Sequence, residues 1–175
     1  MSLAGTGRPD LPTEPAPVGA VPSEATVAEI VSSFAAAYTA RDVDAVVGLF
    51  AEDGDWRVGP GTFAGKDAVR RLFEWDVGLS PSLTSEEEGV GIVVKGNVAV
   101  RECRIAQTTE GIPVDYPVLT VFEVNGDGKL QHVRSYYDKL GLMHDIAQKY
   151  PGIKGWLFKK TVNMLVAQGE KGLKQ

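Results

Sequence analysis

Asp138 stands in "HVRSYYDKLGLM", where strand-like alternation gives way to a helical run. A carboxylate at such a junction has two possible uses. As an N-cap it accepts backbone N–H bonds and complements the helix dipole, stabilising by about 1 kcal/mol. As a general base at the rim of a pocket it removes a proton from a bound molecule. The uses move its pKa in opposite directions: capping lowers it, whereas a working base in an apolar pocket needs it raised. Arg101, in "VAVRECRI", is the natural complement. An arginine on the inner face of a strand is costly unless paired. Glu102 points to the other face, so Arg101 is expected to pair with Asp115 or Asp138, or to meet a ligand's carboxylate or enolate. Asp138 as base and Arg101 as the stabiliser of developing negative charge form the candidate catalytic pair.

Other reactive side chains carry less. Cys103 is the single cysteine, so no intramolecular disulfide forms, and it is expected to pack as a small apolar residue. His132 and His144 show no metal-ligand spacing, and neither metal nor cofactor is expected. "GPG" (59–61) and "NGDG" (125–128) read as turns rather than phosphate loops, and "SEEEG" as a solvated acidic run. A net charge of −5 with pI near 5.1 argues against a nucleic-acid surface. The charge is unevenly spread. Residues 1–138 carry 11 basic and 21 acidic side chains, net −10, and residues 139–175 carry 7 and 2, net +5. The basic tail is expected to fold onto the acidic body or a sister subunit; a membrane-surface role is the less favoured reading. No apolar run approaches the roughly 18 residues of a membrane span, and the first residues lack the pattern of a signal peptide. With the lone cysteine, this leads to a cytoplasmic expectation.

The elements that must position these groups follow from periodicity. Residues 1–22 hold five of the ten prolines and read as a disordered arm. Thr26 and Glu29 then spell a capping box, followed by the stripe Val27, Ile30, Val31, Phe34 and Tyr38. Asp42 reads as the cap of a shorter helix carrying Val43, Val46, Val47 and Phe50. "AEDGD" reads as a break, "WRV" as a short strand, and "GPGTFAG" as a loop. Val69, Leu72, Phe73 and Val77 mark a third helix. Four runs rich in β-branched residues follow, separated by "GN", "EG" and "NGDG", which predicts an antiparallel meander. Pro113 and Pro117 must then lie at a strand start, an edge or a bulge. The tail from Lys139 reads as helix split by Pro151 and Gly152. Its apolar side is Trp156, Leu157, Val162, Leu165 and Val166, with Lys159 and Lys160 opposite. The whole is α+β, helices on one face of the sheet.

Specific stretches resemble the NTF2-like superfamily. "FAAAYTARDVDAVVGLFAEDGDWRV" resembles its first two helices and first strand, and "FAGKDAVRRLF" its loop into the third helix. "GIP" and "VFEVNGDGKLQHVRSYYDKLGLM" resemble the last hairpin of SnoaL-like, polyketide cyclase-like domains. The resemblance implies a cone-shaped domain over residues 23–143, a curved antiparallel sheet on N-terminal helices, with a helical extension over 144–175. It also implies a homodimer, and a deep, mostly apolar pocket for a small apolar, polyketide- or steroid-like molecule. The lining it implies is Arg101, Cys103, Thr120, Phe122, Ser135 and Tyr137 from the strands. Tyr38, Trp56, Val58 and Phe73 join from the helices and first strand. His132, Arg134 and Tyr136 would face out.

Three chemistries known on this fold can be set against the chain. A ketosteroid isomerase-like site needs a tyrosine, a base and a protonated acid at positions resembling Phe34, Val58 and Thr120. An epoxide hydrolase-like site needs two aspartates at positions resembling Cys103 and Ser135. It also needs a tyrosine near Trp56, an asparagine near Val58 and an arginine near Arg101; only the arginine is present. A SnoaL-like cyclase needs the aspartate of "D-x-L-G-L", matched by Asp138, and a histidine where Thr120 stands. Two readings follow: a proton-transfer isomerase, cyclase or lyase, or a non-catalytic binding or scaffold domain with a narrow pocket filled by Trp56, Phe73 and Phe122. A third makes the arm and tail an interaction module. The fold alone does not choose among them.

Overall fold

A computed structural model describes residues 21–109 and 111–170. The expected arm therefore falls, except for residues 21 and 22, outside the described residues. Helix α1 (Glu24–Ala40) is capped three residues before the predicted Thr26. Ser23 is the cap, its Oγ accepting from Thr26 N at 3.1 Å. Val27, Val31, Phe34 and Tyr38 form its buried stripe, as the spacing predicted. Asp42 caps α2 (Val43–Gly48), accepting from Ala45 N at 2.9 Å.

Strand β1 (Phe50–Val58) is longer than "WRV" suggested. The acidic run is a bulge within it, since pairing to β6 shifts between Phe50 and Asp55. The expected loop holds a further strand, β2 (Gly61–Ala64), joined to β1 by the two-residue turn Gly59–Pro60. Helix α3 (Lys66–Leu79) buries Val69, Leu72 and Phe73. The meander follows as β3 (Leu83–Lys95), β4 (Val98–Thr109), β5 (Ile112–Val124) and β6 (Leu130–Tyr136). The sheet order is β2-β1-β6-β5-β4-β3. Every neighbouring pair is antiparallel except β1 with β6, which is parallel, so the sheet is mixed at this one seam. Pro113 lies at the start of β5. Pro117 lies where β5 has no β6 neighbour, because the β6 pairing ends at Leu119–Tyr136.

The core lies between the helices and the concave sheet face. Phe34 is its aromatic centre, with ring centroids 5.2 Å from Phe122, 5.4 Å from Trp56 and 6.0 Å from Tyr38. Burial alternates along β4 and β5, and the register Arg101–Thr120 and Cys103–Val118 puts these residues on the core side.

The tail is helical: α4 (Lys139–Lys149) and α5 (Gly152–Glu170). Its expected apolar side is corrected. Helix α5 buries Val162 and leaves Trp156, Leu157 and Leu165 exposed. Lys160 is not opposite Trp156 but lies over its ring, 5.3 Å from the centroid. No helix among the described residues is long and apolar enough to cross a membrane.

Gly54 makes the β1 bulge possible. A Cβ there would lie 2.6 Å from Leu130 O and 3.2 Å from Ala51 O, both backbone atoms that cannot swing away. Gly54→Ala is expected to destabilise by roughly 1–3 kcal/mol in denaturant titration. Gly48→Ala, with nothing within 4 Å of its Cβ, should be neutral or slightly stabilising.

Candidate functional site

A partly open cavity of about 180 Å³ lies between the sheet and the helices. That is a little more than the roughly 150 Å³ of an engineered cavity that holds benzene. Its walls are mostly apolar and aromatic, including Phe34, Leu72, Phe73, Val118 and Phe122. Tyr38, Trp56, Val58, Phe73, Arg101, Cys103, Thr120, Phe122, Ser135 and Tyr137 all line it. Alternation along β4, β5 and β6 puts them there. Helices α1 and α3 supply Tyr38 and Phe73, β1 supplies Trp56 and Val58, and Tyr137 follows β6 directly. Cys103 is buried and free, at 2% exposure.

Asp138 is elsewhere. Its Oδ1 accepts from Gly141 N at 3.0 Å as the N-cap of α4, and it is not part of the cavity wall. The base role expected of it is therefore withdrawn. Its carboxylate is engaged by the first turn of the helix that follows β6.

The carboxyl group inside the cavity is that of Asp76, on the last turn of α3. It follows Leu72 by four residues and Phe73 by three, so it continues the buried stripe. Arg41 fixes this end of α3 by donating to Val77 O at 2.6 Å and Pro81 O at 2.9 Å. Tyr38 donates its hydroxyl hydrogen to Asp76 Oδ2 at 2.9 Å. Burial pushes the Asp76 pKa above the usual carboxylate value, and the Tyr38 hydrogen bond only partly opposes that. Burial also raises Tyr38, Tyr116 and Tyr137, with the nearby Asp76 charge adding to each. Tyr116 and Tyr137 sit together, centroids 5.5 Å apart, and both line the cavity. Their hydroxyls make no hydrogen bond among the described residues. Sequence reasoning missed Asp76 although a signal was present: a lone carboxylate on the apolar face of a helix.

A second polar group stands on the sheet side. Arg101 is 6% exposed, yet pairs with neither Asp115 nor Asp138. Its Nη1 donates to Ser85 Oγ at 2.9 Å and its Nη2 to Ser85 O at 3.3 Å, while Nε is buried without a partner. Asp115 instead binds the outward Arg104 at 2.8 Å. Farther along the floor, Trp56 Nε1 donates to Ser135 Oγ at 3.1 Å, and Ser135 shares a 3.1 Å bond with Thr120. His132 faces away and meets Asp55 at 2.6 Å. No cluster of metal-binding side chains occurs among the described residues.

Helix α4 closes one side of the cavity with Leu142 and Ile146. It is tied at both ends: Lys139 Nζ donates to Gly59 O at 2.8 Å, and Lys149 Nζ to Pro113 O at 2.7 Å.

Comparison with known proteins agrees with this architecture. Residues 31–133 match the SnoaL-like domain. A Catenulispora acidiphila protein with a ketosteroid isomerase-like fold, solved with trimethylamine, is 20% identical at a TM-score of 0.60, over 67% of this chain and 91% of that one. An epoxide hydrolase of the LEH-like type from M. tuberculosis is 23% identical at 0.60, over 73% and 93%. The epoxide hydrolase/cyclase-like enzyme SalBIII, of pyran ring formation in salinomycin, is 23% identical at 0.59, over 67% and 94%. No curated protein matches. At these identities the likeness establishes the fold.

A raised carboxyl pKa has a consequence for stability. The folded state holds the Asp76 proton more tightly than the unfolded state does. Its contribution is present below the unfolded value near 3.8 and is lost as pH rises through the folded pKa. Asp76→Asn, which cannot ionise, should therefore gain in melting temperature relative to the parent protein as pH rises from 4 to 8. A difference that shrinks over this range would contradict the burial of an ionisable Asp76. Asp138→Ala should cost about 1 kcal/mol at any pH in that range where the carboxylate is ionised, and Asp138→Asn less, because asparagine also caps.

Proposed function

This chain belongs to the SnoaL-like domain family, and from that premise we propose that it binds a small, largely apolar molecule and transfers a proton on it. The reaction class is that of an isomerase, cyclase or lyase. One observation carries the reading: a carboxyl group of raised pKa, held by a tyrosine hydroxyl, inside an apolar cavity. A base is useful when its pKa lies near the working pH, and burial of Asp76 moves it in that direction.

The chemistry follows from the groups present. Ionised Asp76 takes a proton from a carbon next to a ligand carbonyl, and the C–H electron pair moves onto the carbonyl oxygen. The resulting enolate needs donors. Tyr116 and Tyr137 line the same cavity as Asp76, and the positive charge of Arg101 lowers the energy of an anion within these walls. Return of the proton to another carbon gives isomerisation. Attack of the enolate carbon on an electrophile in the same molecule gives ring closure, and expulsion of a β-substituent gives elimination. Tyr38 orients Asp76 and is a positioning residue.

Binding without turnover is the alternative. It is favoured by Phe34 and Val58, apolar residues where the resemblance to ketosteroid isomerase-like sites calls for a tyrosine and a base. Enolisable cyclic ketones and polyketide-like aromatics should raise the melting temperature of the protein. On any substrate so found, Asp76→Asn should lower kcat by about 10²–10⁴-fold. Activity of the parent protein should rise with pH through the raised Asp76 pKa. Unchanged turnover in Asp76→Asn would exclude the base role; binding with no turnover of any enolisable ligand would favour the binder.

A further inference from the structure

We infer that the ligand of this cavity carries a carboxylate, and that Arg101 is its anchor. The inference rests on the ligand-binding reading above and names the class of molecule. A guanidinium presents five N–H hydrogens. Two of Arg101's are engaged, both by Ser85, a neutral residue, and Nε is shut in with no partner. No carboxylate lies within 4.0 Å of the guanidinium among the described residues, although the side chain is 94% buried. A buried charge with only neutral partners is costly, and a bound anion removes that cost. Its neighbour across the strands is also rich in donors. Trp56, Ser135 and Thr120 bring three donor hydrogens to two mutual hydrogen bonds, so one hydroxyl hydrogen is left over whichever way the Ser135–Thr120 bond runs. Thr120 is the direct cross-strand partner of Arg101.

The opposite wall carries Asp76, which resists ionisation in this setting. Among the described residues Arg101 is the one basic side chain in the lining, and it has no carboxylate partner, so the sheet wall favours an anion over a cation. An apolar monocarboxylate fits both features: its body lies against the aromatic walls and its charge meets Arg101. Placement of the carboxylate then decides which carbon of the ligand faces Asp76.

The test compares 3-phenylpropionate, 3-phenylpropanol and 3-phenylpropylamine, which share one apolar body, by calorimetry on the full chain. The acid is expected to bind at least about tenfold more tightly than the alcohol, as a charge-assisted contact does. Arg101→Met should abolish that preference, and Arg101→Lys should retain part of it. Equal binding of acid and alcohol, or tighter binding of the amine, overturns the anion assignment and leaves the apolar site intact. Failure of all three to bind overturns both this inference and the ligand-binding reading. A preference that persists in Arg101→Met overturns the role of Arg101. Should Arg101→Met fail to fold, the acid–alcohol ratio in the parent protein and in Arg101→Lys still decides.

Discussion

The antiparallel register of β4, β5 and β6 is the constraint from which the site follows. Side chains alternate along a strand, so one residue of slip would exchange the inner and outer faces. The pairs Arg101–Thr120 and Thr120–Ser135 place a cation and two hydroxyls in the hollow, and put Arg104, Glu123 and Arg134 outside in surface ion pairs. The bulge at Gly54 serves the same end. It absorbs the mismatch that lets β1 join β6 in parallel and turns Trp56 onto the floor, where its indole N–H finds Ser135.

Within that frame the cavity is electrically divided. The α3 wall offers a carboxyl group that burial holds back from ionising, ringed by Tyr38, Tyr116 and Tyr137. The sheet wall offers a guanidinium without a counter-charge among the described residues. An apolar cavity with these two features discriminates ligands by charge placement more than by shape, because an unmatched charge in such surroundings costs more than an imperfect apolar contact. Helix α4, held by its two lysine ties, closes the hollow on one side.

Much of this was legible in the chain. The stripes of α1 and α3 and the turn signals between the last four strands suffice for the fold. The two-residue period of the strands shows which residues of each strand share a face, and the resemblance to NTF2-like domains supplied which face looks inward. What was not legible depends on geometry between distant segments. Asp138 carries the same signature whether it caps a helix or works in a pocket, and only the direction of the chain after β6 distinguishes the two. Asp76 was visible as a break in an apolar stripe, but its meeting with Tyr38 joins residues 38 positions apart. The strand over Gly61–Ala64 was hidden because glycine and proline signal a turn without revealing that the chain pairs again beyond it. The exposed apolar residues of α5 show the limit of periodicity: a stripe tells which residues share a face, not whether anything covers it.

The site depends on Asp76 as a carboxyl group that burial disfavours as an anion and that Tyr38 partly relieves. The most direct measurement is a carbon-13 NMR titration of the Asp76 side-chain carboxyl in the parent protein and in Tyr38→Phe. An inflection above 3.8 is expected in the parent protein and a further rise in the variant, because the lost hydrogen bond favoured the ionised form. An inflection at or below 3.8, or a fall in Tyr38→Phe, would contradict it.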